Sequence, residues 1–264
     1  MYLEKEDVSL YYEVRGTGKP LVLIHGVIVD AGLFERAAEL LAKHFQVITF
    51  DRRGNSRSRL REEKSFCMDA QADDIRDLLD ALGVESADLA GCSAGAVIGQ
   101  HFLQRYPERV RHLILFEPAM LGMMMGEPEL KKWVEDMNQL VEKRKFCSAV
   151  LKFAEHIGSF DKRSPAKNPE ASMREMGNHQ YALTVEFPGL VDYVPDLEKL
   201  KRHAEKLTVA AGEKSGATVY ARAAGELAEK LGKKVLYYPG YHNLPYDLPE
   251  EFAVSVLGTL MLNV

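Results

Sequence analysis

A serine between two glycines carries the clearest chemical signal in the chain. Residues 91–95 are G-C-S-A-G, which fits the pattern G-x-S-x-G, with a strand-like apolar run before it and a helical pattern after it. In such a turn the serine hydroxyl projects from a strained bend, and the glycines let strand and helix approach closely. The pattern therefore predicts Ser93 as a nucleophile. Cys92 is the alternative, but alanines stand two positions to either side of it, so we interpret it as a packed residue at the strand end.

A nucleophilic serine needs a general base, and histidine is the side chain that most often supplies one. The chain has eight histidines, and His242 is the one that follows the last predicted strand and precedes the last predicted helix. The base is expected in a loop at the strand ends, and the order serine, acid, histidine needs it near the C-terminus. We therefore predict His242 as the base, while His156 and His179 could instead contact a ligand.

A second loop could stabilise the negative charge that develops when a serine attacks a carbonyl. His25 and Gly26 directly follow the apolar run of residues 21–24. A loop in this position supplies one backbone N–H to an oxyanion hole, and the residue after the nucleophile supplies the other. This predicts the amides of Val27 and Ala94 as donors. His25 is expected to shape the loop rather than to transfer protons.

These residues need a sheet to bring them together, and the hydrophobic pattern predicts one. Apolar or alternating runs predict strands at 8–14, 21–24, 47–50, 87–91, 113–116, 207–211 and 235–238. Helical spacing predicts helices at 69–83, 94–106, 217–231 and 250–262. Alternating strands and helices indicate a doubly wound, mostly parallel sheet, which places its site at the carboxyl ends of the strands.

The middle of the chain departs from this alternation. Residues 119–191 show helical stretches and no strand pattern of comparable quality. We therefore predict a core domain of residues 1–118 and 192–264, interrupted by a helical cap at 119–191. Seven of the ten methionines lie between Met120 and Met176, which favours an apolar, adaptable substrate pocket. Met123, Met124 and Trp133 are its candidate lining residues, and simple packing of the cap helices is the alternative.

Composition restricts the classes of partner. The formal net charge is −5 and the hydrophobic fraction is 46%, which argues against nucleic acid or an anionic membrane as a partner. Three cysteines without a C-x-x-C pair favour a reducing compartment over a disulfide framework or a zinc site. No apolar run approaches the ~20 residues of a membrane span, and the start has no signal-peptide pattern. We expect a cytoplasmic protein without a metal or organic cofactor, whose oligomeric state the sequence leaves open.

Taken together, these motifs resemble the α/β-hydrolase superfamily, over essentially the whole chain. The resemblance rests on the H-G loop, the serine turn, the late histidine and residues 51–58, which are similar to the family's D-x-R-G-x-G-x-S turn. The pattern is most similar to that of fungal zearalenone lactonases, which share a G-C-S-x-G-A turn and P-G-x-H before the last helix. The resemblance implies an eight-stranded sheet with the cap inserted after strand 6.

The resemblance also bears on the acid that orients the histidine. Most members carry an aspartate after the strand that residues 207–211 form, whereas this chain has Ser215 at that place. Members with the acid one strand earlier imply Glu117, which follows the run 113–116, and Glu213 is the alternative. The implied triad is Ser93, His242 and Glu117.

The expected activity is hydrolysis of an apolar small-molecule carboxylic ester or lactone through an acyl-enzyme. Two alternatives stay open at this point. Some proteins of this fold are small-molecule receptors or signalling proteins with little turnover, and the same triad can serve cofactor-free perhydrolysis or C–C hydrolysis.

Overall fold

One twisted sheet organises the molecule. The computed structural model describes residues 1–62, 65–158, 161–166 and 168–262. The strands of these residues are β1 (Tyr2–Glu4), β2 (Val8–Arg15), β3 (Lys19–Ile24), β4 (Phe45–Phe50), β5 (Arg59–Leu60), β6 (Ala87–Cys92), β7 (Val110–Phe116), β8 (Leu207–Gly212) and β9 (Leu236–Tyr238). Their order is β1-β2-β4-β3-β6-β7-β8-β9, and the short β5 pairs with β2.

The sheet is mostly parallel, as predicted. β1, β2 and β5 pair in antiparallel fashion, and every pair from β4 to β9 is parallel. The central strands are apolar along their length because helices cover both faces of the sheet; every residue of β6 is buried. The eight strands of the main path confirm the eight-stranded sheet that the resemblance implies. The hydrophobic pattern predicted neither the short β1 nor the two-residue β5.

Helices flank the sheet and also fill the long connection between β7 and β8. They are α1 (Glu35–Leu41), α2 (Met68–Ala81), α3 (Ala94–Arg105), α4 (Leu121–Met124), α5 (Pro128–Glu142), α6 (Phe146–Ile157), α7 (Pro169–Tyr181), α8 (Phe187–Asp192), α9 (Leu197–Lys201), α10 (Val219–Lys230), α11 (Leu244–Asp247) and α12 (Pro249–Leu262). A π-helical turn, Ala182–Glu186, joins α7 to α8, and short 3-10 turns lie at Ala31–Phe34, Pro107–Arg109 and Ala204–Lys206. None of the described helices is long and apolar enough to span a membrane.

Local signals explain where the predicted helices begin and end. α10 starts two residues later than its apolar spacing predicts, because the Thr218 side chain accepts a hydrogen bond from the Ala221 amide and caps the helix. α2 ends before Gly83, whose φ of 65° suits the residue that follows a helix. The seven-residue α1 was not predicted, since it is too short to show a clear helical period.

The connection from β7 to β8 consists mainly of helices and contains no strand among the described residues, in agreement with the pattern change in the sequence. We call residues 121–192 the helical segment. Its apolar side chains belong to the same hydrophobic cluster as those of the sheet; for example, Leu130 and Phe187 share this cluster with Ile24 and Val97. The division into a core domain and a cap domain at 119–191 therefore stays a prediction.

Candidate active site

Ser93 lies at the tight turn between β6 and α3. Its backbone has φ 56° and ψ −121°, a left-handed conformation that is strained for a residue other than glycine. The glycines on either side of Ser93 let the neighbouring backbone segments approach closely. A Cβ atom at Gly95 would lie 2.0 Å from the Ile24 carbonyl oxygen, and one at Gly91 would lie 2.4 Å from the Gly95 carbonyl oxygen. The Ser93 amide donates to the Phe116 carbonyl oxygen at 3.0 Å, which ties the turn to β7.

Glu117 follows β7 in the same way that Ser93 follows β6. Its φ is 43°, and its amide donates to the Ala210 carbonyl oxygen at 2.9 Å. The side chain is fully buried. Its Oε1 accepts a hydrogen bond from the Gly212 amide at 2.8 Å, and its Oε2 lies 2.6 Å from His242 Nδ1. The carboxylate is thus held between the ends of two neighbouring strands and aimed at the imidazole.

The surroundings keep the Glu117 carboxylate ionised. Burial raises the pKa of this carboxyl group, but the His242 imidazole, the Ser215 hydroxyl and the Gly212 amide together lower it by more, so the pKa lies below its ordinary value. Ser215 is buried, and its hydroxyl lies near the Glu117 carboxylate. Among the described residues, its Oγ has no partner with full hydrogen-bond geometry. The serine at the family's usual acid position therefore supports a carboxylate one strand away. Glu213, the alternative acid, is exposed.

His242 lies between β9 and α11, where the chain turns back at Gly240 with φ 100°. Its ring stacks on Tyr220 of α10, with ring centroids 4.4 Å apart. Because the ionised Glu117 can only accept, the neutral imidazole carries its proton on Nδ1 and presents an unprotonated Nε2. This is the tautomer that a general base requires.

Ser93 and His242 line the same small cavity, of about 50 Å³. Among the described residues no hydrogen bond joins the Ser93 hydroxyl to His242. In enzymes without bound substrate this contact is often long and shortens when substrate binds. The structure therefore brings the predicted nucleophile and base to one site without pairing them directly.

The loop after β3, residues 25–29, closes one side of this cavity, and we call it the β3 loop. A Cβ atom on Gly26 would lie 3.2 Å from Ser93 Cβ, so the loop passes directly beside the nucleophile. Val27 lines the cavity, and Ala94 is the first residue of α3, where amides have no partner within the helix. Within the described part of the chain, neither of these two amides has an acceptor. The role of these amides as oxyanion donors stays a prediction.

His25 is committed to the structure of the β3 loop. Its Nε2 accepts a hydrogen bond from the Arg52 amide at 2.9 Å, so Nδ1 carries the proton and donates to the Gly26 carbonyl oxygen at 2.8 Å. Complete burial, together with the nearby Arg52 charge, lowers the pKa of His25 to about 3. Both ring nitrogens are occupied and the ring is neutral, which agrees with the expectation that His25 shapes the loop.

Cys92 is an unsuitable nucleophile in this environment. It is buried, and burial, with a contribution from the Glu117 charge, raises the pKa of its thiol well above the ordinary value. A thiol that stays protonated is a poor nucleophile.

The lining of the cavity differs from the predicted pocket. Its apolar wall consists of side chains from the β3 loop, from the 3-10 turn that precedes α1, from α6 and from α11: Val27, Val29, Leu33, Phe153, Ile157 and Pro245. Met123, Met124 and Trp133 are absent from the described lining. Met124 and Trp133 are buried. The Trp133 ring stacks on His156, with ring centroids 3.9 Å apart, and lies 6.1 Å from the ring of the lining residue Phe153. Their contact with a substrate stays a prediction.

A larger cleft of about 600 Å³ adjoins the site on the outer surface. Leu33 and Pro245 line both the cleft and the cavity, so these two side chains lie between the two spaces. We assign the site to the small cavity because Ser93 and His242 lie there. The described residues contain no group of three or more histidine, cysteine or acidic side chains placed to hold a metal ion.

Three side chains near the site were missed by the sequence-based prediction. Arg52 and Glu186 are fully buried, and Asn178 is almost fully buried. All three bind the β3 loop or a partner of that loop. Their residue types give no sign of burial, since arginine, glutamate and asparagine are mostly exposed in proteins.

The fold and the strand-end turns define the class of protein. A match to the α/β hydrolase fold family extends over residues 19–248, and the chain belongs to this family.

Known relatives agree with this class. The chain is 34% identical over 245 residues to the uncharacterized hydrolase YraK of Bacillus subtilis (strain 168), covering 91% of this chain and 88% of that protein. It is 32% identical over 114 residues to the zearalenone hydrolase of Cladophialophora bantiana, covering 42% of this chain and 43% of that protein. A thermophilic esterase from Thermogutta terrifontis has the same fold, with a TM-score of 0.76 at 22% identity, covering 97% of this chain and 94% of that one.

Proposed function

We propose that this α/β hydrolase cleaves a carboxylic ester or a lactone through an acyl-enzyme on Ser93. The observation that carries the proposal is the 2.6 Å contact between His242 Nδ1 and the buried Glu117 carboxylate, beside a cavity that Ser93 and His242 share. A sequence relative named zearalenone hydrolase and a structural neighbour named a thermophilic esterase support this class of substrate.

In the proposed first step, Ser93 Oγ attacks the substrate carbonyl carbon while His242 Nε2 takes the hydroxyl proton. The carbonyl oxygen becomes an oxyanion and accepts hydrogen bonds from the amides of Val27 and Ala94. Glu117 keeps the imidazole in its tautomer and stabilises the imidazolium that forms. The bond to the leaving oxygen then breaks, and His242 Nε2 returns the proton to that oxygen. A lactone opens in the same step.

In the second step, water replaces the alcohol. His242 Nε2 removes a proton from the water as its oxygen attacks the acyl carbon, and the oxyanion forms again at the two amides. Collapse of this intermediate breaks the bond to Ser93 Oγ, which regains its proton from His242, and the carboxylic acid leaves. No other group is needed to balance either step.

The cavity walls favour an apolar acyl group, since aliphatic and aromatic side chains make up most of the lining. A volume of about 50 Å³ is far below the ~300 Å³ or more of typical ligand pockets. Substrate entry therefore requires side chains or helices around the cavity to move apart.

The test is covalent labelling with a fluorophosphonate, followed by turnover of p-nitrophenyl esters of increasing chain length and of a lactone panel. We expect the label on Ser93, no label in Ser93→Ala, and ester or lactone turnover in the wild type. Ser148→Ala, which removes an exposed serine on α6, is the matched control and should retain both. Labelling without turnover on any substrate contradicts the proposal and favours a receptor.

A further inference from the structure

Arg52 is a buried cation that directly contacts the β3 loop. It is fully buried, and its Nε donates to the His25 carbonyl oxygen at 3.1 Å. Its Nη2 donates to the Gly26 carbonyl oxygen at 2.9 Å. Since His25 Nδ1 also donates to the Gly26 oxygen, this one carbonyl is held by two donors, and neither donor residue belongs to the described lining of the cavity.

The direction of the Gly26 carbonyl determines the direction of the Val27 N–H. Both groups belong to one planar peptide, and no peptide bond in the described chain is cis. In a trans peptide the C=O and N–H point in opposite directions. Holding the Gly26 oxygen toward Arg52 therefore turns the Val27 N–H away from Arg52.

Arg52 is in turn held by the helical segment. Glu186, in the π-helical turn between α7 and α8, is fully buried. Its Oε1 lies 2.5 Å from Arg52 Nη1 and its Oε2 lies 3.1 Å from Arg52 Nη2. Asn55 also donates to Glu186 at 3.1 Å. A bidentate pair of this kind fixes the orientation of the guanidinium as well as its position.

The helical segment binds the β3 loop a second time through Asn178 of α7. Its Nδ2 donates to the Ile28 carbonyl oxygen at 3.1 Å and to the Val29 carbonyl oxygen at 3.3 Å. Ile28 has a φ of 76°, a strained conformation for a β-branched residue. A strained backbone persists only where its surroundings over-determine it, and here Asn178 and Arg52 supply that restraint from outside the loop.

We propose that Arg52 is a positioning residue that aims the Val27 N–H at the oxyanion, and that Glu186 holds Arg52 in place for this task. The oxyanion hole is then complete only while the helical segment lies against the sheet. Because the cavity must widen to admit substrate, closure of the segment over bound substrate restores the second donor. This inference rests on the proposed hydrolysis and adds to it a link between the helical segment and catalysis.

The matched pair Arg52→Lys and Arg53→Lys separates positioning from stability. Arg53 is also buried and forms a bidentate pair, but with Asp74 and away from the β3 loop. Both substitutions retain the positive charge and lose the planar fork. Arg52→Lys cannot serve both the Gly26 carbonyl and Glu186 with the same geometry.

Steady-state kinetics on the best ester and the affinity of a matching trifluoromethyl ketone are the readouts. The ketone forms an adduct with Ser93 whose oxyanion occupies the hole. Loss of one oxyanion donor lowers kcat by about 10²–10³-fold, so Arg52→Lys should lower kcat and ketone affinity by up to this factor. KM should change by less than about threefold. Glu186→Gln, which preserves side-chain shape, should lower kcat and ketone affinity by a smaller factor, again with little change in KM.

Arg53→Lys is expected to lower the unfolding midpoint while kcat stays within about threefold of the wild type. Equal effects of Arg52→Lys and Arg53→Lys on kcat and ketone affinity would overturn the proposal. A crystal structure of Arg52→Lys gives an answer that does not require turnover. A rotated Gly26–Val27 peptide supports positioning, and an unchanged peptide contradicts it, even if the wild type cleaves no ester or lactone.

Discussion

Each side chain at the site is defined by the partner that holds it. Glu117 is ionised in a buried place because His242, Ser215 and the Gly212 amide surround its carboxyl group. His25 is neutral because it is buried beside Arg52. Two buried titratable groups lie near one cavity, and the first is charged while the second is not. This difference supports distinct roles for the two residues, one orienting the base and one shaping the loop.

At this scale we predict that Glu117→Gln lowers kcat by about 10³–10⁴-fold, because the amide no longer supports the productive imidazole tautomer or stabilises the imidazolium. Glu213→Gln is the matched control, and it should stay near wild-type activity because the Glu213 side chain is exposed. Ester turnover by both variants, with circular dichroism to check folding, provides the measurement. Loss of activity in Glu213→Gln alone would show that the acid is misassigned.

A second prediction at this scale concerns His25 and pH. Its pKa is about 3 in the folded protein against an ordinary 6.5, so between these values the unfolded chain binds a proton that the folded protein does not. The free energy of unfolding should therefore fall as pH decreases from about 6.5, with this residue adding a slope of about 1.4 kcal/mol per pH unit.

Urea unfolding at several pH values between 7 and 4 measures this slope. His25→Gln should be less stable at pH 7 but flatter in its pH dependence than the wild type, since the linked proton is gone. His44→Gln, at an exposed histidine, should keep the wild-type slope. An equal slope in His25→Gln and the wild type would mean that His25 titrates alike in the folded and unfolded states.

Single elements position the site through close contacts that side chains would disrupt. The turn from β6 to α3 needs Gly95, because a Cβ atom there would lie 2.0 Å from the Ile24 carbonyl oxygen. Gly225, inside α10, has nothing within 4 Å of its Cβ position. Gly95 is therefore needed because no side chain fits there, whereas Gly225 only weakens the helix in which it lies.

We predict opposite effects of alanine at these two positions. Gly95→Ala should destabilise the protein by about 1–3 kcal/mol or more, because the backbone of β3 must move. Gly225→Ala should stabilise it by up to about 1 kcal/mol, since alanine is the better helix former. Thermal and urea unfolding of both variants test this. A neutral Gly95→Ala would mean that the β3 loop can move away from the serine turn without strain.

The molecule as a whole is joined by contacts between the helical segment and the sheet. One apolar cluster includes side chains of both, and the Arg52–Glu186 pair is buried between them. Such packing couples the two parts energetically. We therefore expect the helical segment and the sheet to unfold together, although the sequence predicts them as separate domains.

The single tryptophan, Trp133, provides that test because it lies in α5 of the helical segment. We predict that urea unfolding followed by Trp133 fluorescence coincides with unfolding followed by far-ultraviolet circular dichroism, which reports every helix. Glu186→Ala should shift both curves together, by about 3–5 kcal/mol, because it leaves the Arg52 charge buried without its partner. A fluorescence transition that precedes the other would show that the segment unfolds on its own.

Local patterns in the chain were enough to predict the parallel sheet and the serine turn, whereas the two oxyanion amides that they suggest stay a prediction. Continuous apolar runs are needed wherever both faces of a strand are covered, and a glycine frame is needed wherever strand and helix meet closely. Both requirements concern neighbouring residues, so the linear order of residue types carries them. The absence of strand patterns in residues 119–191 could be predicted in the same way, because it too depends on neighbouring residues.

Contacts between distant residues are not recorded in the sequence pattern; the family resemblance implied the triad, and the folded structure supplied its geometry. The pairing of His242 with Glu117 joins residues 125 positions apart, and that of Arg52 with Glu186 joins residues 134 positions apart. Such pairs depend on strand order and on how the helical segment packs, and no periodicity records them. A buried arginine and an exposed one look alike in a sequence, since burial is a property of the surroundings and not of the residue. The support of the β3 loop by the helical segment therefore became visible only once the chain was folded.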